Sequence, residues 1–187
     1  MMKRLIALLV ALLLCLPALA ETAPVGEAPD AAELLSPFEI ALPAEVTALT
    51  TPGGSSVTFV HENGMTRAVA QVLSRVPDPD GDHASELMRL MALYAPGAKD
   101  VVPLAMAEGF YGLMALTPDA LEGMQGGRID QATVMVLWQT AERAELLIIS
   151  AYDLAGATDS AQALMNLLVR AATLDGATVL DQPETAE

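Results

Sequence analysis

The segment from Gln131 to Leu174 constrains the fold most: an apolar run, a turn, a second apolar run and then an amphipathic helix. Successive side chains of an extended chain alternate faces, so Val134, Val136 and Trp138 share one face and Met135 and Leu137 the other. In the second run Leu146 and Ile148 lie on one face, with Leu147, Ile149 and Ala151 on the other. Neither face of either run reads as wet. A strand apolar on both faces belongs in the middle of a sheet that is covered on both sides. The remainder of the chain must supply that cover. The closing helix is one source: it is expected to begin near Asp159, with Gln162 as a capping-box partner, and to end at Gly176. Its buried stripe is read as Ala161, Leu164, Leu168, Ala171 and Ala172, joined by Leu167 and Leu174.

The clearest local unit is a hairpin over Val57 to Val76 about Asn63-Gly64, a dipeptide that suits a type I′ turn. A two-residue turn sets the register: Val60 faces Arg67, Phe59 faces Ala68 and Val57 faces Ala70. His61 then stands opposite Thr66 near the hairpin tip. Further on, Leu87, Leu90, Met91 and Tyr94 recur at helical spacing, which predicts a helix over Ala84 to Ala95 ended by Pro96-Gly97. Val101 to Ala107 and Phe110 to Leu116 read as two strands, and Pro103 puts the first at a sheet edge or on a bulge. Thr51 to Ser56 is a loop, and Thr117 to Gly127 reads as a longer connection.

The first twenty residues are set apart from the fold. Lys3 and Arg4 precede an apolar stretch from Leu5 to Leu16, and Ala18-Leu19-Ala20 is a small-residue cleavage site, which together make a secretory signal peptide over 1–20. The apolar stretch is shorter than the ~20 residues of a spanning helix, so no transmembrane segment is expected after cleavage. Cys15, the sole cysteine, falls inside this segment, which leaves the exported chain without a disulfide, a thiol nucleophile or a thiolate metal site. Residues 21–36 read as a flexible acidic lead-in, 37–176 as a single α/β domain and 177–187 as an acidic C-terminal tail. The formal net charge of −15 makes nucleic acid and anionic lipid poor partners. It suits an exported protein, periplasmic or extracellular, whose partner is another envelope or secreted protein.

Few residues offer chemistry. Asp78, Asp80 and Asp82 alternate on a turn with Glu86 beyond, a donor set that could converge on calcium. An EF-hand places its glycine sixth and its bidentate glutamate twelfth, and this loop does neither, so an acidic turn that caps the next helix is the competing reading. His61 and His83 are the two imidazoles, and with nearby carboxylates they would serve a hydrolase; neither lies in a nucleophile elbow or triad setting. Glu142 and Glu145 read as a solvated turn, and Met88, Met91 and Met165 as core filler. Trp138 is a possible anchor beside a groove, though core packing is the plainer reading of a tryptophan in an apolar strand. No cofactor is implied.

Several stretches together resemble the PsbP-like family: the apolar strand from Phe38 to Pro43, the Val57 to Val76 hairpin, the helix at Ala84 to Ala95 and the Gln131 to Leu174 finish. That family is named for an extrinsic subunit of the photosynthetic oxygen-evolving complex and includes many small exported bacterial proteins. The resemblance implies an α+β fold, a central antiparallel sheet of about six to seven strands flanked by helices as an α/β/α sandwich. The two-sided burial of Val136, Trp138, Leu147 and Ile149 favours the same arrangement. It also implies a binding, accessory or assembly module of the cell envelope rather than an enzyme. No position matches the metal-binding or docking residues of the plant proteins, and none is carried over.

Overall fold

The computed structural model describes residues 28–181. The signal peptide read at 1–20 and most of the acidic tail lie outside them. In chain order the elements are α1 (Ala31–Leu35), β1 (Phe38–Ile40), β2 (Val46–Leu49), β3 (Val57–His61), β4 (Thr66–Arg75), α2 (His83–Tyr94) and β5 (Lys99–Pro103). There follow β6 (Phe110–Glu122), β7 (Arg128–Gln139), β8 (Ala144–Asp153), α3 (Thr158–Arg170), β9 (Ala172–Leu174) and β10 (Ala177–Thr178). Seven strands form one antiparallel sheet in the order β2-β3-β4-β8-β7-β6-β5, and β1-β9-β10 form a second, three-stranded sheet.

The two doubly apolar runs are β7 and β8, and β8 is the middle strand of the seven. Leu146, Leu147, Ile148 and Ile149 are all buried, as are Val134 to Leu137 opposite them. On one face Leu147 and Ile149 pack against Leu164, Met165 and Leu168 of α3. The strands beneath that helix carry Ala68, Ala70, Ala132 and Ala151, small side chains that let it settle close to the sheet. On the other face Leu146, Ile148, Met135 and Leu137 pack against Leu87, Leu90 and Met91 of α2.

The expected helix-flanked α/β/α sandwich is not what forms. Strands make up 45% of the described residues and helices 19%, so the protein is mostly β. A helix about 10 Å across spans about two strand spacings of about 4.8 Å, so a single helix per face cannot layer seven strands. Where α2 does not reach, β4 and β8 show half-buried polar groups, among them Arg67, Gln71 and Ser150. The helical periodicity read through Gly176 stops at Arg170. Ala172 and Leu174 belong instead to β9, where Phe38 pairs with Leu174 and Ile40 with Ala172. Met88, read as core filler, is exposed, whereas Met91 and Met165 are buried.

Further segments make specific contacts among the described residues. Within 21–36, Asp30 caps α1 by accepting from the Ala32 amide at 3.1 Å, and Leu35 is buried. Within 177–187, Val179 is buried and Leu180 bridges to Met106. β6 runs on to Glu122 through an irregularity between Thr117 and Leu121, where Pro118 cannot donate and Asp119 adopts φ 52°. The hairpin register is as read, with Phe59 opposite Ala68 and Val57 opposite Ala70. Its turn differs: only Gly64 takes a positive φ, and the Asn63 side chain accepts from the Met65 and Thr66 amides at 2.9 and 3.0 Å.

One buried carboxylate ties the sheet to α3. Asp153, at the end of β8 and 3% exposed, accepts from the Thr66 hydroxyl at 2.7 Å and from the Ala155 and Ala157 amides at 2.9 and 3.2 Å. Ala157 has no side-chain cap to offer α3, so Asp153 supplies it from a distance. Burial raises its pKa, but the bonds from Thr66, Ala157 and Ala155 outweigh burial and hold it below the ordinary carboxylate value. A lowered folded-state pKa contributes stability above the unfolded value near 3.8 and loses it as pH falls through the folded value. Asp153→Asn, measured by urea unfolding, is expected to cost ~1–3 kcal/mol at neutral pH and to flatten the acid limb of the stability curve. A wild-type pH profile in the variant would show that Asp153 is not the group titrating.

Candidate functional site

Three concavities of the described surface lie between different elements of the fold. The largest of these three is an apolar groove of about 450 Å3 between α1, β1 and the β2–β3 pair, with Leu35, Phe38, Ile40 and Phe59 in its walls and Asp30 and Glu39 among its polar groups. A smaller cavity of about 180 Å3 lies where the β3–β4 hairpin meets α3 and contains Glu45, His61, Thr66 and Ser160. The third, about 320 Å3, lies beside the start of α2 and is walled by Leu104, Met106, Phe110 and Tyr111.

The two histidines go to opposite faces of the sheet. His61 ends β3 on the face of Val57 and Phe59, which is the α3 side. Its Nδ1 accepts from the Asn63 amide at 3.3 Å, which leaves Nε2 as the donor of the neutral ring. His83 begins α2 and packs on Tyr111 with ring centroids 4.2 Å apart, and its buried Nδ1 has no hydrogen-bond partner. Neither ring is hydrogen-bonded to a carboxylate among the described residues, so the structure builds no acid–histidine pair at either place.

The acidic turn is engaged in local structure. Asp82 caps α2, accepting from the Ser85 amide at 3.1 Å and the Ser85 hydroxyl at 2.7 Å, and these bonds lower its pKa. The Asp78 carboxylate lies over Gly81, where a Cβ would meet its Oδ2 at 2.5 Å. Glu86 pairs with Arg75 at 2.6 Å. Asp80 is exposed. Among the described residues no group of three or more His, Cys, Asp or Glu comes together.

Glu145 departs from the solvated turn read in the sequence. It is buried, accepting from Arg143 Nε at 2.8 Å and from the Ser74 hydroxyl at 2.9 Å, while Glu142 is exposed. The Arg143 guanidinium also lies 5.9 Å from the ring centre of Trp138, which is half-buried at the end of β7. The sequence did not single out Glu45 or Ser160. The signal for the cavity was available in the hairpin register: His61 shares the face of Val57 and Phe59, the face that receives the closing helix.

These features define a β-rich domain whose central strands are covered on both faces and which carries an apolar groove beside α1. No protein-family model matches the chain, and no curated protein matches it. In fold it is similar to the crystal structure of LpqN, described as involved in cell envelope biogenesis of Mycobacterium tuberculosis, with a TM-score of 0.52. That likeness covers 73% of this chain and 82% of LpqN at 16% sequence identity, so it concerns the fold. No helix among the described residues is long and apolar enough to cross a membrane.

The role of the acidic turn can be read from one variant. Asp82→Ala is expected to lower the melting temperature by the same amount in calcium and in chelator, as the loss of a helix cap does. A melting temperature that rises with calcium in the wild type and not in the variant would instead make the turn a calcium site.

Proposed function

We propose that this chain is an exported, non-enzymatic binding module that works as an accessory or assembly factor of the cell envelope. The observation that carries the reading is the fold it shares with LpqN over most of both chains. The basic, apolar and small-residue sequence of Met1 to Ala20 supports export. The groove bounded by α1 and β1 is the natural binding surface: it is concave, mainly apolar and large enough to enclose several side chains or part of an acyl chain.

Export is the part of this reading most open to direct test. Expressed from its full sequence, the protein is expected outside the cytoplasm with Glu21 as its first residue, as read by intact mass after fractionation. A full-length protein that stays in the cytoplasm would contradict the proposal. The envelope role is tested by deleting the gene in its native host and measuring envelope permeability; an effect reversed by the wild-type chain is the expected result, and unchanged permeability counts against it.

A further inference from the structure

We propose that the cavity between the β3–β4 hairpin and α3 is a binding site for an alkylammonium group, with Glu45 as the carboxylate that receives the charge. The site is separate from the groove beside α1 and does not rest on the reading given to that groove. Its volume of about 180 Å3 is enough for a short unbranched amine.

The lining has two chemically distinct sides. Ala163, Leu164 and Leu167 of α3 form an apolar wall suited to a methylene chain. Opposite, on the hairpin side, are Glu45, His61, Asn63 and Thr66, while Ser160 lies on α3 itself, one turn before Ala163 and Leu164. Thr66 is already committed, donating to Asp153 at 2.7 Å and accepting from Asn63 Nδ2 at 2.9 Å. Glu45 is not: it is half-buried, it belongs to neither ion pair found among the described residues, and no hydrogen bond to its carboxylate is made there. Its carboxylate oxygens are therefore open to the N–H groups of a cation that enters the cavity.

The surrounding field has the matching sign. No lysine or arginine lines the cavity. Arg67 follows Thr66 on β4 and so projects to the opposite face of the sheet. Arg170 is at the far end of α3, about 15 Å along the helix from Ser160. Behind Thr66 stands Asp153, buried and held in its charged form by three hydrogen bonds, which adds a second negative charge to the floor. An anionic ligand is repelled and a neutral one forgoes the charge, whereas an ammonium on a short apolar chain uses both the carboxylate and the apolar wall. The Ser160 hydroxyl can accept one further N–H, and His61 bounds the mouth.

The test is calorimetric titration of the purified exported chain with n-pentylammonium chloride, and with n-pentanol as the uncharged isostere, at constant ionic strength. Saturable binding of the amine at one site, with pentanol at least tenfold weaker, is expected. Glu45→Gln should weaken amine binding at least tenfold while leaving the melting temperature of the free protein unchanged. Ala163→Phe, at an exposed helix position, should abolish binding by filling the cavity. Equal affinity for pentanol, wild-type binding by either variant, or no saturable binding of the amine would overturn the proposal. A parallel titration with Nα-acetyl-lysine N-methylamide separates the two sources of the group. Binding as tight as pentylammonium supports a lysine side chain of a partner, and binding of pentylammonium alone supports a free amine.

Discussion

The structure depends on the pairing of β8 with β4 on one side and β7 on the other, in a strand whose two faces are both buried. Each of Leu146, Leu147, Ile148 and Ile149 is 3% exposed or less. Burying one such side chain stabilises by ~1.5–3 kcal/mol, against a net folding stability of ~5–15 kcal/mol for a typical domain. Polar groups are nearly absent from this strand until its ends, where Glu145 and Asp153 are buried only because each is met by specific donors. A carboxylate without such donors would not survive there.

From that strand the rest of the architecture follows unevenly. α3 lies over β4, β8 and β7, where alanines allow close approach, while α2 lies over β6 and β7. The two helices are therefore offset, and each leaves part of its face to other elements. On the α3 side α1 and the small β1-β9-β10 sheet complete the cover, and the concavities at Phe38 and at His61 lie where these pieces meet the main sheet. The site geometry is thus a consequence of incomplete helical cover.

Much of the main sheet was legible in the sequence. Val134 to Leu137 and Leu146 to Ile149 announce two-sided burial by having no polar alternation, the Asn63-Gly64 pair gives the β3–β4 register, and Pro103 sits on β5, an edge strand. The end of α3 was not legible, because Ala171, Ala172 and Leu174 continue a helical spacing while their actual contacts are to Phe38 and Ile40 far back in the chain. The same remoteness hid α1 and the fold class, since cover by a second sheet is decided by long-range pairing. At the candidate sites, local signals were mixed. The aspartates of the acidic turn stand out in sequence yet are engaged in a cap and a tight turn, whereas Glu45 is inconspicuous and reaches the His61 cavity only through its place ahead of β2.

β8 and its neighbours form the most protected part of the molecule, with both faces of the strand buried. Native-state hydrogen exchange followed residue by residue tests it most directly. The slowest amides are expected at Leu146 to Ala151 of β8 and at their β7 partners, exchanging only through global unfolding, while β2 and β5 exchange through local opening. Amides of β8 that exchange faster than those of the edge strands would contradict it.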